Sequence, residues 1–89
     1  MTLNEIEQIH PDEFYTVSLY MGDYDVRVLE AFEDEAEAKQ AFADRSRYFH
    51  IDPDEILTIE IDTFDDSNEV ELIEVLDFYD PYDYLNHQD

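Results

Sequence analysis

No cysteine occurs in the 89 residues, so neither a disulfide framework nor a thiolate site is available. Glycine occurs once, at Gly22. That excludes a phosphate-cradling loop, which needs several glycines, and a calcium loop, whose sharp turn needs a glycine after spaced acids. Basic residues are scarce: Arg27, Lys39, Arg45 and Arg47 stand against 26 Asp plus Glu. Direct nucleic-acid binding is disfavoured by that balance, because affinity for phosphates comes mainly from Lys and Arg. No apolar run approaches ~18 residues, so no helical membrane span is expected. The opening Met-Thr-Leu-Asn-Glu lacks the basic region of a secretory signal. A soluble, cytoplasmic chain is the expectation.

What is present is a core and an excess of anions. Hydrophobic residues make up 44% and aromatics 15%, more than a disordered acidic chain usually carries, so one folded domain is expected over 1–89. The formal net charge is −22. A folded chain of this length has a diameter of ~30 Å. The same length of duplex DNA carries ~18 charges, so protein and DNA segment match in total charge.

The clearest stretch is residues 53–79. Leu57, Ile59 and Ile61 alternate with Thr58, Glu60 and Asp62, the period of a strand with one wet face. Asp65 to Asn68 form a turn, and Val70 to Phe78 the return strand. The wet side is expected to present Glu60, Asp62, Glu69, Glu71, Glu74 and Asp77 as an unbroken acidic row.

Earlier in the chain, Thr2 and Glu5 fit a capping box for a short helix ending at His10-Pro11. Tyr15, Val17, Leu19 and Met21 alternate inward, Gly22-Asp23 supplies a tight turn, and Tyr24, Val26 and Val28 begin a return strand. Glu33 to Phe49 reads as one long helix, with Ala38, Ala41, Phe42, Tyr48 and Phe49 on a core stripe. Acids in its first turn and Arg45 and Arg47 at its end suit the helix dipole. Both return strands set two apolar residues side by side, Val28-Leu29 and Leu72-Ile73, which suggests a shared β-bulge. The fold expected is α+β: a four-stranded, mostly antiparallel sheet from two similar hairpins, one long helix on one face and a short N-terminal helix. Its units are 1–32, 33–79 and an acidic aromatic tail, 80–89.

Catalytic chemistry finds little purchase. His10, His50 and His87 are scattered away from metal-ligand spacing, and no Ser-His-Asp arrangement stands out. Carboxylate pairs are everywhere and so carry no information. No enzyme activity, cofactor or metal is expected, beyond loose divalent binding at Asp65-Asp66 or Asp52/Asp54.

The acids themselves form the candidate site. Besides the six of the hairpin, Asp25, Glu30, Glu33, Glu37 and Asp44 extend the surface. Tyr79, Tyr82 and Tyr84 in DFYDPYDY are candidate contacts, because tyrosine faces attract Arg and Lys. Small size, extreme acidity, no cysteine and a sheet-plus-helix pattern together resemble the acidic DNA-mimic inhibitors of phages and mobile elements. Those block CRISPR effectors, restriction enzymes, DNA repair enzymes or nucleoid proteins. The resemblance is to the class and implies a basic, nucleic-acid-binding host protein as partner, met in the host cytoplasm, with a homodimer possible. Two alternatives share the composition: an acidic adaptor or antitoxin-like binder of a basic partner, and a halophile-type housekeeping domain.

Overall fold

The first element forms for a local reason. Thr2 Oγ1 accepts from the Glu5 backbone N–H at 3.3 Å, and the Glu5 carboxylate accepts from the Thr2 N–H at 3.1 Å. That reciprocal cap starts helix α1, Leu3–Ile9, and His10 ends it in the left-handed region at φ 52. In the computed structural model, which describes residues 1–22, 25–48, 51, 52 and 54–80, strands β1 (Phe14–Met21) and β2 (Asp25–Phe32) follow. Helix α2 (Glu35–Ala43), a single 3-10 turn (Arg45–Tyr48) and strands β3 (Glu55–Phe64) and β4 (Val70–Tyr79) complete the chain. The four strands form one antiparallel sheet in the order β2-β1-β3-β4.

The long helix expected over Glu33 to Phe49 is instead two short pieces. Asp34 rather than Glu33 caps α2, its carboxylate accepting from the Glu37 N–H at 3.3 Å. The helix stops at Asp44, whose φ −85 and ψ 89 are not helical. Its last turn holds no basic residue, because the helix ends before Arg45 and Arg47 are reached. The break has a physical use. It turns Arg47 back onto β2, where it donates to both Glu30 oxygens at 2.8 and 2.6 Å, while the Tyr48 hydroxyl donates to Glu30 at 3.0 Å. Phe49 lies outside the described residues.

Each face of the sheet carries a helix. Val17, Leu19, Phe32, Leu57 and Ile59 meet Ala38, Ala41 and Phe42 of α2 and Tyr48, forming the larger core. On the opposite face α1 sets Ile6 against Phe14 and Ala31, with Leu3, Phe64 and Val70 around them. Phe14 and Phe64 stack with centroids 4.7 Å apart, and His10 stacks on Phe64 at 5.0 Å.

The paired apolar residues mark irregular pairing, as their spacing implies. On β2 the register passes from Glu30 to Val28, leaving Leu29 unpaired; on β4 it passes from Glu74 to Leu72, leaving Ile73 unpaired. A second shift on β4 leaves out Leu76. The two hairpins meet in the middle of the sheet, where Val17 pairs with Ile59, and the helices that precede them lie on opposite faces.

Candidate protein-interaction surface

Pairing decides which way each acid points, since directly opposed residues share a face. Glu71, Glu74 and Asp77 oppose Thr63, Ile61 and Ile59, so they belong to the α2 side of the sheet. All three are exposed, as is Glu69 in the turn, where Asp65 holds its backbone N–H at 2.9 Å. Glu33, Glu37 and Asp44 are exposed around α2 on that same side. Asp25 is exposed at the start of β2. Glu30 is half-buried and already engaged by Arg47 and Tyr48, which removes it from a free acidic surface. Tyr79 is half-buried against the larger core, which makes it a docking residue of the scaffold rather than an exposed contact. Tyr82 and Tyr84 lie outside the described residues.

Glu60 and Asp62 overturn the expected row. They oppose Val75 and Leu72, which puts them on the face away from α2, and they are only 3% and 1% exposed. The period of β3 holds, but its polar side is not wet. Thr16 and Ser18 of β1 and Thr58 of β3 are buried beside the two acids, forming a polar floor. Thr16 donates to Asp62 Oδ2 at 2.5 Å, Thr58 donates to Glu60 at 2.8 Å, and the Tyr20 hydroxyl also donates to Glu60. Asp62 Oδ1 is buried and has no hydrogen-bond partner among the described residues.

Apolar side chains from the two edge strands flank this floor. Val26 and Val28 oppose Tyr20 and Ser18, while Leu72, Val75 and Phe78 oppose Asp62, Glu60 and Thr58. Val26, Leu72, Val75 and Phe78 remain exposed, Phe78 to 61%. An open groove of about 560 Å³ lies over the floor, walled by Leu3, Val26, Val28, Val70 and Leu72, with Ser18, Tyr20, Glu60 and Asp62 beneath and Arg27 at its border. These apolar rim residues and the hydroxyls of the floor escape a reading of acidic residues alone. Their one sequence signal is that β4 is apolar at Leu72, Val75 and Phe78 as well as at Leu76, so neither side of it is purely polar.

Burial pushes the Asp62 carboxyl from its ordinary value of 3.8 to about 7; the Thr16 hydrogen bond opposes that rise, while the Glu60 charge and hydrogen bonding to the Glu60 carboxyl add to it. Burial, then the bond to Glu60, likewise raises the Tyr20 hydroxyl. Asp52, Asp54 and Glu55 bring carboxylate oxygens within 4.8 Å of one another at the start of β3, the first two exposed. Such clusters are ordinary on so acidic a surface.

Two ion pairs join described side chains: Lys39 with Glu35 at 3.6 Å and Arg47 with Glu30 at 2.6 Å. Against a net charge of −22 they leave most of the repulsion standing. Added salt is therefore expected to raise the melting temperature by screening like charges. A melting temperature that falls between low and moderate salt would show that attraction between individual pairs dominates.

Comparison of the chain with protein-family models, curated proteins and solved structures returns no match.

Proposed function

We propose that this chain is a non-catalytic binding protein that occupies a basic surface otherwise used to hold nucleic acid, as a DNA-mimic inhibitor does. The observation carrying this reading is the exposed row Glu71, Glu74 and Asp77 on one edge strand, on the same side of the sheet as Glu33 and Glu37. Alternate strand residues lie ~6.6–6.8 Å apart, and a bulge lengthens that step, so the row is a set of spaced charges on a fixed backbone. Such a row steers a cationic partner from a distance and can satisfy its Lys and Arg one by one. Glu60 and Asp62, being buried, take no part in it. The mimic surface is thus the α2 side of the β4 edge, extended by the helix.

The test is charge reversal at Glu71, Glu74 and Asp77 together, with the partner captured from host lysate and challenged with duplex DNA. The expected result is that wild-type protein and DNA displace one another, and that the triple Lys variant loses the competition while keeping its circular dichroism spectrum. A variant that competes as well as wild type would overturn the reading. A partner that binds the wild type but never yields it to DNA would favour the adaptor alternative. That alternative has its own support in the apolar rim of the opposite face, which no nucleic-acid mimic requires.

A further inference from the structure

We propose that the groove between β2 and β4 is a receptor for one arginine side chain of a protein partner, with Asp62 and Glu60 receiving the guanidinium and the edge-strand side chains holding its stem. The inference rests on the reading above that the partner is basic, but it concerns the other face of the sheet.

The acids alone would not carry it. What singles them out is that Asp62 is buried, lines the groove, and keeps its Oδ1 without a hydrogen-bond partner among the described residues. A buried carboxyl oxygen without a partner is costly, and a cationic donor arriving from outside would remove that cost and favour release of the proton that Asp62 otherwise keeps. Glu60 stands two residues along the same strand with one oxygen held by Thr58 and Tyr20. Two neighbouring carboxylates suit the planar fork of a guanidinium, which donates along two directions at once, better than the single point of an ammonium.

The walls argue for a long amphipathic side chain. Val26, Val28, Val70, Leu72 and Leu3 are aliphatic and face the three-carbon stem that an arginine must bury to reach the floor. The exposed Val75 and Phe78 continue the apolar surface beyond the groove, where neighbouring residues of a partner chain would rest. Arg27 borders the groove from β2, but it opposes Leu19, which assigns its side chain to the α2 side.

The test uses the full chain, labelled with nitrogen-15, and three capped tripeptides: Leu-Arg-Leu, its citrulline analogue and its lysine analogue. Citrulline keeps the shape of arginine and removes its charge. The expected result is saturable amide shifts at Ser18, Tyr20, Glu60, Asp62 and Leu72, with the citrulline peptide about tenfold weaker or worse. Lysine should fall between the two. The Glu60→Gln, Asp62→Asn double variant, which keeps the size of both side chains, should lose about tenfold in affinity for the arginine peptide. Charge reversal at Glu71, Glu74 and Asp77, on the other face, should leave the pattern of shifts in place. That separates this inference from the mimic reading, since either can fail alone. Equal affinity of the citrulline peptide, shifts spread over the outer acids, or no saturable shift in the groove would each overturn the proposal.

Discussion

Replacing Asp62 with asparagine is expected to make the protein more stable near neutral pH, by about 2 kcal/mol, which for a domain of this size is roughly a 10 °C rise in melting temperature. The folded state holds the Asp62 proton up to about pH 7, whereas an unfolded chain releases it near 3.8. Between those values the folded state binds more protons than the unfolded one, so stability falls as pH rises through that window. Below it the carboxyl is neutral in both states and costs nothing extra. Above it the protein carries a buried anion with one oxygen unsatisfied. Asparagine keeps the acceptor for Thr16 and never ionises. The variant and wild type should therefore melt alike at about pH 4 and diverge progressively toward pH 8. The rise from 3.8 to about 7 sets a ceiling of about 4 kcal/mol, and water reaching the open groove lowers it. Thermal melts of both proteins at several pH values are the measurement. Parallel curves across the range would mean that Asp62 is not the group whose ionisation strains the fold.

Phe14→Ala is expected to cost about 3–5 kcal/mol, out of a total that for small domains is only about 5–15. Phe14 is inaccessible to solvent and stacks on Phe64, and Ile6 of α1 closes the cluster from above. That cluster is small, so the cavity left behind has few neighbours able to collapse into it. Urea unfolding should show the midpoint displaced far toward zero, and amide exchange should show α1 opening before the rest of the sheet. A loss below about 1 kcal/mol would mean that the α1 side contributes no real core, leaving the sheet supported by α2 alone.

Much of this architecture is legible in the residues, where local chemistry has one outcome. The Thr2–Glu5 box, the alternation of Tyr15, Val17 and Leu19 and the doubled apolar residues at Val28-Leu29 and Leu72-Ile73 each act within a few positions, although Met21, expected inward, is exposed at the end of β1. The extent of α2 is decided at longer range. Nothing between Asp44 and Tyr48 forbids a helix strongly, and the segment unwinds because Arg47 and Tyr48 find Glu30 on β2. The surroundings of the β3 acids escape the sequence for a related reason. Alternation separates the two faces of β3 correctly, but it does not say whether the polar face meets water. Glu60 and Asp62 are covered because β1 and β4 stand on either side of β3 and their neighbours lean over it. The acids of β4 face the other side of the sheet, the two bulges bringing Glu74 into line with Glu71 and Asp77, so residues that look like one row divide into two sets with different surroundings.

The outermost strand has one more consequence. An antiparallel sheet with free margins invites further chains to add on and grow a fibril. Here β4 skips register twice and carries Glu71, Glu74 and Asp77 along its length, so an incoming copy would meet a broken ladder and its own repelled anions. The features proposed above to receive a cationic partner at this margin also oppose the stacking of identical molecules on it.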